Sequence, residues 1–428
     1  MTTRPIKATH RLGAFLALTG TIASLVATLT PAPGQAGAAA STSLFCLVCG
    51  EGGGTDVFLN LLLFTPMAVG LRLLGWPWRR VVIAAALLSL AVEFLQLALV
   101  PGRDSSLSDL LSNTTGAAVA AALAPHLPRA LVPGPVLARR LLLGAAAFQL
   151  VVLTLSAIGF LPSVRPGRLR SDCTSYSPAF GTWSGTLRSV TIDGIPLPCD
   201  DDLADGASVR AALAGGHTAV HIEGAAGAPT SGRAAVHAVR AGGEPVLALA
   251  QDGNSAVFNV PTLSRRLRFS AVTLQLPDAF PRDAGTTFDL RAGRDGHRLW
   301  ISSQYPGQRR SAEVMLRPSL GWINLLWWRL QPGTRLRTLA AMWLGVLMLP
   351  VGYWAGFVGR PAWGWGVVAA SLVAGLGVLP LVAGYAPTPW AEWLGGSLGA
   401  ILGWALCRFA AYLQSRCGSP SISAYSSS

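Results

Sequence analysis

The chain has 428 residues, of which 51% are hydrophobic and only 12% charged, with a net charge of +13 and a mean hydropathy of +0.46. A soluble domain is about one quarter charged, so this composition excludes a chain that lives wholly in water. The arginine excess is dispersed along the chain, with no basic block and no interleaved aromatic residues, which argues against nucleic acid as a partner.

Apolar runs of about 18 or more residues can cross a hydrocarbon layer of about 30 Å as helices, because helices satisfy their own backbone groups. The spans expected are 12–30, 57–76, 81–100, 109–125, 138–161, 338–358, 363–384 and 391–413, the fourth being the shortest. The fold class is therefore a polytopic α-helical membrane protein of about eight transmembrane helices, with an all-β sandwich or jelly-roll domain inserted between the fifth and sixth, and the lipid bilayer is its first partner. Five divisions follow: 1–55, a first span and a loop; 56–162, a helical domain; 163–320, the β domain; 321–413, an interfacial segment and the C-terminal spans, a degenerate repeat of the earlier ones; and 414–428, a disordered tail. The first span has a basic head of Arg4, Lys7 and Arg11 and is followed by small residues from Ala36 to Ala40, so it reads either as an anchor or as a cleaved signal.

Orientation follows from arginine. Arg72, Arg79, Arg80, Arg129, Arg139, Arg140, Arg360, Arg408 and Arg416 fall on one side, expected to be cytoplasmic, which places the β domain on the outer side of a multi-pass membrane protein. Arg165, Arg168, Arg170, Arg329, Arg335 and Arg337 flank the inserted domain and argue the other way, but long translocated domains obey the charge rule poorly.

Beyond Cys173 the apolar runs give way to short strand-like segments separated by Gly, Asp, Asn and Pro. They are 189–193, 218–222, 245–249, 256–260, 267–271 and 297–301, with turns at Asp193-Gly194, Asp252-Gly253-Asn254 and Asp295-Gly296. The run from Gly242 to Gly253 resembles the concanavalin-like and laminin-G-like sandwiches, a group that often binds glycans. Asp252, Asn254 and Asp295 read as turn residues before they read as ligand contacts. Cys173 and Cys199 are disulfide candidates, closing a loop of about 26 residues in an oxidising compartment. Cys46 and Cys49 form a Cys-x-x-Cys without the surroundings of a redox motif, and neither pair has a second metal-spaced pair, so no metal and no cofactor are expected. Residues 319–330 are too short to span and rich in tryptophan, which suits the membrane interface.

Between Asp56 and Ala124 polar residues recur where lipid would penalise them: Asn60, Phe64-Thr-Pro66 with Gly70, Glu93 with Gln96, then Arg103, Ser105, Asp109, Asn113 and Gly116. Glu93 and Gln96 share one helical face, and Asp109, Asn113 and Gly116 repeat at helical spacing on the next helix. Intramembrane acids usually pair, so Arg103 is the expected partner of Glu93 or Asp109, and Gly116 permits close helix approach. This ordered series resembles the VanZ-like membrane family, whose naming member is associated with reduced sensitivity to the glycopeptide teicoplanin. The resemblance implies a bacterial cell-envelope protein, multi-pass in the cytoplasmic membrane. Pro350, Gly352, Glu392, Gly399 and Ala400 echo Pro66, Gly70, Asp109, Gly116 and Ala117 further along the chain.

The function expected is recognition of a surface glycan, a lipid-linked cell-wall precursor or an envelope partner through a polar pocket at the external face and a lectin-like domain, with a link to glycopeptide antibiotic resistance. The rival is a membrane enzyme acting on a lipid-linked or surface glycan, with Glu93 or Asp109 as general acid or base and Arg103 holding an anionic group. No nucleophile elbow or phosphate-binding loop supports it.

Overall fold

The computed structural model describes residues 4–30, 52–100, 106–174, 181–326 and 328–417. Its helices are α1 (Arg4–Leu29), α2 (Gly53–Leu63), α3 (Thr65–Leu73), α4 (Trp78–Leu99), α5 (Leu107–Leu123) and α6 (Pro135–Gly159), then, beyond the β domain and its own helix α7 (Gly206–Gly215), α8 (Thr334–Ala355), α9 (Pro361–Leu372), α10 (Leu379–Val382) and α11 (Trp390–Cys417). Helices α2 and α3 make one span that breaks at Phe64, just before Pro66, whose ring nitrogen cannot donate to the helix ladder. Helices α9 and α10 make another, joined through a π-helical turn, Val373–Val378. Among the described residues seven spans are long and apolar enough to cross a membrane. The one expected span not among them, the fourth, is α5, which has 17 residues.

The helices form two bundles. Helices α1 to α5 enclose Phe64, Met67, Ala68, Val81, Ala85 and Ala117, and α6 with α8 to α11 encloses Leu142, Leu153, Leu344, Met348, Val351 and Ala400. Small residues set the closest crossings, as expected where helices must pack without help from water. A Cβ on Gly116 would strike the carbonyl of Leu61, and a Cβ on Gly70 would strike the backbone of Ala17, so α5 and α1 both lie directly on the α2–α3 span. Gly399 and Gly345 play the same part between α11 and α8.

The β domain is a sandwich. Its strands are β1 (Leu169–Cys173), β2 (Gly181–Thr182), β3 (Thr186–Ile192), β4 (Ile195–Pro196), β5 (Asp201–Asp202), β6 (His217–Ala225), β7 (Thr230–Ala241), β8 (Glu244–Gly253), β9 (Ser255–Asn259), β10 (Thr273–Leu276), β11 (Thr287–Asp295), β12 (Arg298–Tyr305), β13 (Gln308–Met315) and β14 (Arg329–Leu330). An eight-stranded sheet runs β14-β10-β9-β8-β7-β1-β5, with β2 beside β7, and a six-stranded sheet runs β13-β12-β11-β6-β3-β4. Alternate residues of both sheets meet in one core, where Phe288 packs edge-on against Trp183 and Phe280. The β3–β4 hairpin turns at Asp193 and Gly194, both with positive φ, the geometry that suits the right-handed twist of paired strands. A disulfide joins Cys173 to Cys199.

One segment differs from the sequence reading. Residues 267–271 are not a strand: Thr262 caps a helical turn, Leu263–Arg266, and Arg268 adopts a φ of 63°, which ends extended structure there. The tryptophan-rich stretch begins with a 3₁₀ turn, Pro318–Leu325, that is buried between the sandwich and the helices, with Trp322 4% and Ile323 0% exposed, whereas Leu326 and Trp328 beyond it are exposed. Arg329 and Leu330 then add β14 to the sheet, so the β domain extends past residue 320.

Since consecutive spans alternate in direction, the start of α2, the end of α4, the starts of α5, α8 and α11 and the end of α6 share one end of the bundles, and the sandwich sits on that end. The Gly54 N–H donates to Arg268 O at 2.9 Å, the Thr55 hydroxyl donates to Asn324 O at 2.9 Å, and Arg294 Nη2 donates to Phe160 O at 2.7 Å. The His297 ring stacks on Tyr385 with centroids 3.6 Å apart, and Arg317 pairs with Glu392. Arg72, Arg79, Arg80, Arg129, Arg139, Arg140 and Arg360 belong to the opposite end.

Candidate functional site

The polar series of the first bundle converges where α4 ends and α5 begins, on the end that carries the sandwich. Ser106 is the N-cap of α5, and its hydroxyl accepts the Asp109 N–H at 3.1 Å. In a capping box the acid three residues on would accept the N–H of the cap in return. Here Glu93 does so from α4: its Oε2 accepts the Ser106 N–H at 2.7 Å. Asp109 Oδ1 instead accepts from Asn60 Nδ2 of α2 at 2.8 Å. Three helices are therefore tied through two carboxylates that meet across one serine.

One turn deeper, Asn113 Nδ2 donates to the Ser89 hydroxyl at 3.0 Å, joining α5 to α4. Gln96 Nε2 donates to Thr28 O of α1 at 2.8 Å. Glu93, Gln96 and Asn113 are 9%, 5% and 1% exposed, so these groups face protein and not lipid. The amide oxygens of Gln96 and Asn113 are buried with no hydrogen-bond partner among the described residues, which is costly for groups so far from bulk water. Gly116 sits one turn below Asn113 and brings α5 against Leu61, and this close approach is what lets Asn60 reach Asp109.

Of the residues singled out in the sequence, Asn60, Glu93, Gln96, Asp109, Asn113 and Gly116 gather here. Arg103 and Ser105 lie outside the described residues, as do Cys46 and Cys49. The sequence reading missed Ser106, Ser89 and Thr28. Ser106 was legible as a capping box, Ser-Leu-Ser-Asp109, and Ser89 as the residue one turn before Glu93 on the same face. Thr28 contributes a backbone oxygen, which no side-chain pattern reveals.

A second polar seam joins the sandwich to the C-terminal bundle. Arg317 Nη2 lies 2.8 Å from Glu392 Oε1 at the start of α11, with side chains 13% and 1% exposed. Burial pulls the Arg294 guanidinium down to about 10 and pushes the Tyr385 phenol up to about 12. Asp252 and Asp295, read as turn residues, are held by Arg329 and by His217 with Arg298.

The site can present two acids and three amides to a polar ligand at one end of a helical bundle, and it can equally lock four helices together. Residues 13–128, about a quarter of the chain, match the VanZ/LLP1 family. No curated protein and no solved structure is significantly similar to the chain. The match takes in most of α1, all of α2 to α5 and every member of the convergent polar cluster, so the N-terminal bundle is similar to the VanZ/LLP1 family over that stretch, in a chain with the apolar helices of a multi-pass membrane protein.

Proposed function

We propose that this protein is a bacterial cell-envelope component that recognises a surface glycan or a lipid-linked cell-wall precursor at the outer face of the cytoplasmic membrane. The observation that carries the reading is that Glu93, Asp109, Asn60 and Asn113 converge at the end of the helical bundle on which the sandwich sits. A ligand with a polar head and an apolar tail suits such a place, where amides and carboxylates meet the ends of lipid-facing helices. The reading takes the sandwich, which resembles glycan-binding folds, as the second half of the recognition surface. It takes that end as external because arginines gather at the opposite one and because a disulfide persists in oxidising surroundings.

In the same reading the C-terminal spans are a worn copy of the VanZ-like ones. Leu61 stands five residues before Pro66 and receives Gly116; Gly345 stands five residues before Pro350 and receives Gly399. Asp109 in the first copy is joined to Asn60 of its own bundle, whereas Glu392, its counterpart, is joined to Arg317 of the sandwich. The copy thus serves to seat the β domain.

The test is binding of the purified full-length protein, in detergent, to a glycan array and to lipid-linked precursors. Asp109→Asn and Glu93→Gln are expected to weaken capture of one ligand class at least tenfold and to alter teicoplanin sensitivity of the host. Unchanged binding and sensitivity with lowered thermal stability would reduce the cluster to a helix lock. Turnover of a precursor lost in both variants would make the protein an enzyme.

A further inference from the structure

The outer face of the six-stranded sheet carries an ordered array of polar side chains. On β6, His221 and Glu223 alternate with the core residues Val220 and Ile222 and so point to the same outer side. Glu223 lies directly between Ser189 of β3 and Asp289 of β11 in the register of the sheet, and His221 lies between Thr191 and Arg291. Three donor atoms converge there: His221 Nε2 is 3.0 Å from Asp289 Oδ2 and 3.6 Å from Glu223 Oε1, and all three lie within 4.8 Å of one another.

We propose that His221, Glu223 and Asp289 form a binding site for a divalent transition-metal ion of the zinc class on the face of the β domain. Zinc binds imidazole nitrogen and carboxylate oxygen at about 2.0–2.2 Å, so ligand atoms at the corners of its tetrahedron stand about 3.4 Å apart. The two distances from His221 bracket that value. Each carboxylate is also held by a neighbour. The Ser189 hydroxyl donates to Glu223 Oε2 at 3.3 Å, which leaves Glu223 Oε1 turned toward the imidazole, and Arg291 grips both oxygens of Asp289, Nε on Oδ1 and Nη2 on Oδ2, each at 3.1 Å. Ligating carboxylates in metal sites are oriented in this way.

Three protein ligands leave a fourth position for an outside group. That position has room: Glu223 and Asp289 also line an open concavity of about 530 Å³, together with Arg188, Gln304 and Tyr305. The site is separate from the membrane cluster, and the inference stands whether or not that cluster binds a ligand. Cysteine spacing gave no hint of it. The signal in the sequence is the alternate pair His221-Ile-Glu223 within a strand.

The test uses full-length protein in detergent, stripped with a chelator and titrated with Zn²⁺ by equilibrium dialysis and with Co²⁺ by visible absorption. The proposal expects one equivalent of zinc per chain and a cobalt spectrum without thiolate bands. His221→Gln and Asp289→Asn are each expected to lower affinity at least tenfold. Ser189→Ala, at an exposed hydroxyl whose loss leaves the core intact, is expected to lower it about tenfold, as loss of an orienting partner does. His217→Ala, on the same strand but paired with Asp295, is expected to leave it unchanged. The proposal falls if stripped protein takes up no zinc, if affinity ignores the His221, Asp289 and Ser189 changes, or if zinc is lost only on changing Cys46 and Cys49 to serine.

Discussion

Arg317, just past the last strand of the six-stranded sheet, places its guanidinium 2.8 Å from the carboxylate of Glu392, the acid in the first turn of α11. With only 1% of the Glu392 side chain exposed, loss of the arginine strands a buried charge. Arg317→Met is therefore expected to cost about 3–5 kcal/mol. The paired change Arg317→Met with Glu392→Leu removes both charges and is expected to cost less than the sum of the single changes. Thermal unfolding of the four proteins in detergent measures this, and a single-variant loss below about 1 kcal/mol, the scale of an exposed pair, would contradict it.

The Cys173–Cys199 disulfide bridges residues 26 apart and anchors the segment before β5 beside β1. Closing a loop of that length in the unfolded chain stabilises the fold by about 3 kcal/mol. Cys173→Ser is expected to lower the unfolding temperature of the sandwich, and reductant is expected to do the same to the unaltered protein but not to the variant. Non-reducing peptide mapping of protein taken directly from membranes tests the external placement, because a free-thiol form there would count against an oxidising compartment.

His237 lies wholly inside the sandwich, with Nε2 2.9 Å from the Ser171 hydroxyl. Burial pulls its imidazole down to about 4, partly offset by the charges of Asp172 and Asp200. The folded value lies below that of the unfolded chain, about 6.5, so acid protonates the unfolded state first. Stability is expected to be full above about pH 6.5 and to fall by roughly 3 kcal/mol as pH drops toward 4. His237→Asn is expected to flatten that part of the curve, whatever its effect at neutral pH. Equal slopes for both proteins would show that the ring titrates elsewhere.

The spans, the inserted sandwich and its turns were legible because each rests on a local rule: apolar length for a helix, alternation for a strand, Asp-Gly for a hairpin. The segment read differently failed on long-range packing. Residues 267–271 alternate like a strand, yet Arg268 lends its carbonyl to Gly54, far away in sequence. In the polar cluster, the residue types and helical spacing pointed to Glu93, Asp109 and Asn113. That Glu93 completes the Ser106 cap while Asp109 turns to Asn60 depends on where α2 and α4 cross α5, which no single segment encodes.

The crossings themselves are open to test through glycine. Gly116 and Gly399 press their helices against the carbonyls of Leu61 and Gly345, whereas a Cβ on Gly144 of α6 would meet nothing within 4 Å. Gly116→Ala and Gly399→Ala are each expected to cost about 1–3 kcal/mol, the range for overpacking a close contact. Gly144→Ala is expected to be neutral or to stabilise by up to about 1 kcal/mol, since alanine orders a helix better than glycine. Because Gly116 and Gly399 belong to separate cores, their penalties are expected to add in the double variant to within about 0.5 kcal/mol. Gly116→Ala alone is expected to weaken ligand capture too, because it pushes α5 from α2 and lengthens the bond from Asn60 to Asp109. If Gly399→Ala weakened capture equally, the recognition site would not be confined to the first bundle.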